Sequence, residues 1–284
     1  MARFTFKELT HPPHAPFPGS GLLQPNPGWK VPLPQTVHLS NTSKFSASTT
    51  GTKKYSTLFL EIDQNVMPKY FAVCYPEGLA DFSNANLFFH PNPGASRPPY
   101  DDAQYGYTSQ KWPELFRYMH LIGPGLAASG KSQCVIMPYM RQTMSNDVRV
   151  LKDAWWEILT TLLQTAAGSA PNAIQGQDLT ALVISSFSFG IRYSDTARKQ
   201  MQNVRDFLRE VWDFDGIWST TDGYLSAVLT TNKDFKVIKY GQIASPGFTS
   251  IAADRWETMG VPADIHQVAV SNFWLNACIR SGVG

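Results

Sequence analysis

Residues 179–190 read Leu-Thr-Ala-Leu-Val-Ile-Ser-Ser-Phe-Ser-Phe-Gly, and their order decides the fold. Leu179–Ser185 is a nearly continuous apolar run, as in a parallel strand covered on both faces. Phe187–Gly190 is a turn. Arg192–Val211 then takes the three- and four-residue apolar spacing of an amphipathic helix. Buried strand, tight turn and helix together make half of a βαβ unit.

The same alternation extends in both directions. Upstream, Tyr55–Ile62, Tyr70–Tyr75, Asn86–His90 and Gln133–Tyr139 are short runs of aromatic and β-forming residues. Downstream, Gly216–Thr220 and Lys236–Tyr240 read as further strands. From Lys111 the spacing of Trp112, Leu115, Phe116, Met119 and Ile122 is helical, and Gly123-Pro124-Gly125 disturbs or ends that helix. Val148–Ala167 and Ser271–Arg280 read as helices. The expectation is an α/β fold, with a mostly parallel central sheet, helices on both faces and an antiparallel edge where the first strands lack a helix between them. Residues 1–54 are expected to be a Pro/Ser-rich arm and loop, with 40–54 as loop. Residues 55–284 form the domain, and the aromatic segment 95–118 (Tyr100, Tyr105, Tyr107, Trp112) is a possible cap over an apolar cleft.

The turn carries chemistry. Ser186-Phe187-Ser188-Phe189-Gly190 fits x-x-Ser-x-Gly, the pattern of a nucleophile elbow. Such a turn lifts the Ser188 hydroxyl clear of the sheet. It also sets backbone N–H groups at a helix N-terminus, where an oxyanion would form. The first glycine of the usual pattern is here Ser186.

At this point the chain resembles the α/β-hydrolase family of esterases and lipases. Leu87-Phe-Phe-His90-Pro91-Asn92 is similar to that family's third strand and the His-Gly loop after it. The resemblance implies that Asn92 N–H, beside Phe189 N–H, holds the oxyanion, since Pro91 has no N–H. His90 would fix the loop by hydrogen bonds. His266, the only histidine after Ser188, stands ahead of the last helix, where similar enzymes carry the catalytic base. Asp222, or alternatively Asp254, would orient it. Asp213 and Asp215 flank the start of the expected strand 216–220, at its wrong end for the site. The implied function is serine-dependent hydrolysis of a small, apolar carboxylic ester or related acyl bond through an acyl-enzyme, with neither cofactor nor metal. A non-catalytic binding protein on the same scaffold is the alternative.

Gly125-Leu-Ala-Ala-Ser-Gly130-Lys131-Ser132 also matches the phosphate-binding pattern G-x-x-x-x-G-K-[ST]. A working loop of that kind follows a strand and opens a helix. Here the order is reversed, so nucleotide binding is the lesser alternative. His11-x-x-His14 lies among prolines without a third ligand and does not suggest a metal site. Composition narrows the field further. Charge is nearly balanced, 24 basic against 22 acidic residues without clustered runs, which gives no footprint for nucleic acid. Three widely spaced cysteines offer no disulfide framework. The N-terminal residues lack a signal-peptide core, and no stretch approaches the ~20 apolar residues of a membrane span. A soluble, cytoplasmic protein is expected.

Overall fold

The computed structural model describes residues 4–8, 44–48, 52–64, 68–91, 113–140, 154–214, 236–240, 270, 274, 277–278 and 281–284. They form one sheet of nine strands: β1 (Phe6–Glu8), β2 (Lys44–Ser48), β3 (Thr52–Ile62), β4 (Tyr70–Pro76), β5 (Asn84–Phe89), β6 (Cys134–Pro138), β7 (Ala181–Phe187), β8 (Leu208–Phe214) and β9 (Lys236–Tyr240). The spatial order is β1-β3-β4-β6-β5-β7-β8-β9, with β2 also paired to β3. β4 is antiparallel to both neighbours, β3 and β6, while β6, β5, β7, β8 and β9 are parallel throughout. This is an α/β fold with a mixed sheet, mostly parallel with an antiparallel edge.

Among the described residues, three helices lie between the parallel strands: α1 (Pro113–Ser129), α2 (Trp155–Gly168) and α3 (Ile191–Gln200). They divide between two faces because the strands alternate. Leu182 and Ile184 of β7 pack with Ile158, Leu159, Leu162 and Leu163 of α2 and with Tyr193 and Ala197 of α3. Val183 and Phe187, pointing the other way, pack with Leu115, Tyr118, Met119, Ile122 and Leu126 of α1 and with Val270, Trp274, Ala277 and Cys278. Those last four residues are helical and follow one face at helical spacing. Each large aliphatic side chain withdrawn here from water contributes about 1.5–3 kcal/mol.

Several sequence expectations are corrected. α1 does not stop at Gly123-Pro124-Gly125 but runs to Ser129, where Gly130 (φ +70) closes it. Gly123 is a contact position and not a stop. An ideal Cβ there would sit 2.1 Å from Tyr55 Cε2, so its absence lets α1 lie directly on β3. Pro124 forgoes one backbone bond, and the buried residues on either side carry the helix through it. The helix beginning at Pro113 also takes the end of segment 95–118, while Tyr100, Tyr105, Tyr107 and Trp112 lie outside the described residues. Of the expected loop 40–54, Lys44–Ser48 is a strand in a hairpin with the start of β3. Phe6–Glu8 pairs with the far end of the same strand. The expected helix Arg192–Val211 divides into α3, a 3-10 segment (Gln202–Phe207) and the first part of β8. Gly216–Thr220, read as a strand, falls outside the described residues.

The order read around residues 125–132, a helix before and a strand after, is the order in the structure. Lys131 and Ser132 stand between the end of α1 and the start of β6, and a strand follows them where a helix is needed. Lys131 Nζ donates instead to the Ser281 carbonyl at 2.8 Å. An ideal Cβ on Gly284 would lie 2.8 Å from Ser132 O, so the motif packs against residues 281–284.

Candidate active site

In an open parallel sheet a ligand crevice forms beyond the carboxyl ends of the strands, where neighbouring connections leave in opposite directions. Here the chain leaves β5 through α1 to β6 on one side. It leaves β7 through α3 to β8 on the other. The crevice therefore falls between the ends of β5 and β7. Ser188 directly follows β7, and His90 and Pro91 directly follow β5.

Ser188 is the only described non-glycine residue with positive φ, at +52°. A left-handed conformation costs an L-residue about 1–2 kcal/mol, so packing must impose it. The source of that packing is Gly190. A Cβ there would stand 2.1 Å from Phe89 O and 3.0 Å from His90 O. Residues 188–190 form one 3-10 turn that opens directly into α3. Strand end and helix start are thus pressed against the end of β5, as the x-x-Ser-x-Gly pattern requires. Ser188 is half-buried, and Phe189 belongs to the same 3-10 turn, just ahead of α3.

Ser186 occupies the position of the missing glycine. It is fully buried, aligned with Phe89 on one side and Asp213 on the other. Its hydroxyl has no hydrogen-bond partner among the described residues.

His90 is fully buried. Its Nε2 accepts the Met140 backbone N–H at 2.9 Å, and its Nδ1 faces the Pro91 carbonyl. An accepting Nε2 makes Nδ1 the protonated nitrogen, which donates to Pro91 O. β5 and β6 pair only as far as Leu87 and Ile136. Beyond that point His90 bridges the two strand ends. Tyr118 and Tyr139 stack on its ring, each with centroids 5.9 Å away, at 17° and 24°.

The acid question changes with the position of β8. That strand spans 208–214, so Asp213 sits near its carboxyl end, the same end as Ser188, and not at the start of a strand. It is 2% exposed and shares its register with Ser186. The sequence hid it because Val204, Leu208 and Val211 continue a helical spacing across the start of β8. His266, Asp222, Asp254, Asp215 and Asn92 lie outside the described residues, as do His11 and His14. Among the described residues no group of three His, Cys, Asp or Glu is placed to hold a metal ion, and no helix is long and apolar enough to cross a membrane.

No protein-family model matches the chain, and no curated protein matches it. Solved structures similar to it include an esterase from Pseudomonas putida, 10% identical over 87% of this chain and 84% of that one, with a TM-score of 0.42. A dienelactone hydrolase-like promiscuous phosphotriesterase from metagenomic libraries is 11% identical over 80% of this chain and 97% of that one, with a TM-score of 0.36. The rice cell wall degrading esterase LipA of Xanthomonas oryzae is 10% identical over 68% of this chain, with a TM-score of 0.34. This chain spans 47% of LipA's length.

Proposed function

We propose that the protein is a serine hydrolase acting on a small, apolar carboxylic ester or related acyl bond. The observation that carries this reading is the left-handed backbone of Ser188 at the switch point, between β7 and the start of α3. A strained residue of this kind at a strand-to-helix turn presents its hydroxyl to the crevice. It also presents the next amides to the same point.

In the proposed mechanism Ser188 Oγ attacks the acyl carbonyl while His266 takes its proton. The backbone N–H groups of Phe189 and Asn92 hold the oxyanion. Collapse of the tetrahedral intermediate expels the alcohol, protonated by His266. Water, activated by the same imidazole, then frees the acid and restores Ser188. Asp222 or Asp254 orients His266, and the position of β8 adds Asp213 as a third candidate for that role. His90 holds the Pro91 carbonyl, one residue before Asn92. No step requires a cofactor.

The test is hydrolysis of short p-nitrophenyl esters by the parent, Ser188→Ala and His266→Ala, with Asp213→Asn, Asp222→Asn and Asp254→Asn alongside. Loss of about 10³–10⁶-fold in kcat is expected for the Ser and His variants. One of the three Asp variants should follow them. Ester hydrolysis that survives in Ser188→Ala would refute the mechanism. A well-folded parent with no hydrolysis and no reaction with acyl or phosphonyl reagents would be a binding protein on this scaffold.

A further inference from the structure

Tyr118, on α1, is 3% exposed. Its ring touches both halves of the crevice. It stacks on His90, which immediately precedes Pro91. It also meets Phe187, the residue before Ser188, at 6.1 Å and 58°, and Phe88 at 5.9 Å and 57°. Its packing thus reaches the last residue of the nucleophile's strand and the histidine that fixes the opposite loop. Tyr139 adds the second ring on His90. The Met140 N–H that follows Tyr139 is the donor to His90 Nε2.

From this juxtaposition we infer that Tyr118 is a positioning residue, setting the distance between the turn at Ser188 and the His90–Pro91 end of β5, with Tyr139 seating the histidine from the β6 side. The inference rests on the proposed acyl-transfer site. Acyl transfer at Ser188 needs its turn and the facing strand end to keep one separation. A displacement of ~1 Å between them weakens the transition state far more than the ground state. Aromatic rings suit this task because they fill the gap rigidly and with few rotatable bonds.

The test compares Tyr118→Leu, Tyr118→Phe and Ile122→Ala, the last emptying a buried site on the same helix face away from His90. Steady-state kinetics on a p-nitrophenyl ester and the ¹⁵N shifts of the His90 imidazole are read on each. Tyr118→Leu should lower kcat by about 10–100-fold with KM within about threefold. Its His90 nitrogens should move away from the values of a fixed Nδ1–H ring. Tyr118→Phe should restore both readouts, and Ile122→Ala should lose stability while keeping both. An unchanged kcat in Tyr118→Leu, with a parent that hydrolyses ester through Ser188, overturns the inference and leaves the mechanism standing. An equal kcat loss in Ile122→Ala also overturns it, as general loosening. A parent whose Ser188 takes part in no hydrolysis overturns both.

Discussion

Replacing Ser188 by alanine and by glycine separates backbone strain from hydroxyl chemistry. Both variants lose the hydroxyl, so their difference reports the backbone alone. At φ +52° alanine keeps a penalty of about 1–2 kcal/mol that glycine does not carry. Glycine loses about 0.5–1 kcal/mol through its freer unfolded chain. The net leaves Ser188→Gly more stable than Ser188→Ala by about 0.5–1 kcal/mol. At an ordinary helical position the order is reversed, with glycine about 1 kcal/mol worse. The sign therefore decides, and a swing of about 1.5–2 kcal/mol separates the two cases. Urea unfolding of both variants measures it, provided their slopes agree. A Ser188→Ala protein about 1 kcal/mol more stable than Ser188→Gly would refute the elbow.

Four further outcomes follow from the packing. Gly190→Ala places a methyl against the Phe89 carbonyl and should cost about 1–3 kcal/mol by overpacking and lower ester turnover at least tenfold, roughly what a misplaced reacting group costs; parent-like stability would contradict the contact. Ser186→Ala removes a buried hydroxyl that has no partner among the described residues and should be neutral or stabilising by about 1 kcal/mol, checked by urea midpoint; a loss of that size would show a hidden hydrogen bond. Burial pushes the thiols of Cys74 and Cys278 up to about 12 and that of Cys134 well above its usual value. The folded chain thus holds protons that the unfolded chain releases near about 8.5, so the thiols' stabilising contribution is intact below that pH and falls as pH rises toward 12. Urea midpoints should drop from neutral to alkaline pH, and the native thiols should ignore Ellman's reagent until unfolding; ready labelling of the folded chain would contradict their burial. ATP or GTP should leave the melting temperature unchanged, because Lys131 is committed to Ser281 O; a rise with nucleotide would reinstate phosphate binding.

Much of the fold was legible because its central strands are buried on both faces and bounded by turns. Leu179–Ser185 announced β7, and the helical spacing of Leu115, Met119 and Ile122 announced α1. The misreadings have physical causes. β2, with the sequence Lys-Phe-Ser-Ala-Ser, is a five-residue strand paired to β3, and the Ser/Thr-rich composition around it reads as loop. Gly123 and Pro124 punctuate sequence without breaking a helix held by its packing. β8 carries Glu210, nearly fully buried, which a pattern search scores as polar surface. Its carboxylate accepts from Trp212 Nε1 at 2.7 Å and from the Gly282 N–H at 2.6 Å, and the second of these partners is 72 residues away. Misplacing β8 removed Asp213 from consideration. At the site, the places of Ser188 and His90 just after β7 and β5 were legible because they depend on local order. The Tyr118 contacts with His90 and Phe187 were not, since they join α1 to two strands distant in sequence.

The most direct test of Ser188 as an activated nucleophile is treatment with a fluorophosphonate followed by intact mass, with Ser188→Ala in parallel. A single phosphonyl adduct on the parent and none on the variant is the result this account predicts. A folded parent that takes up no adduct, or an adduct retained by Ser188→Ala, would contradict it.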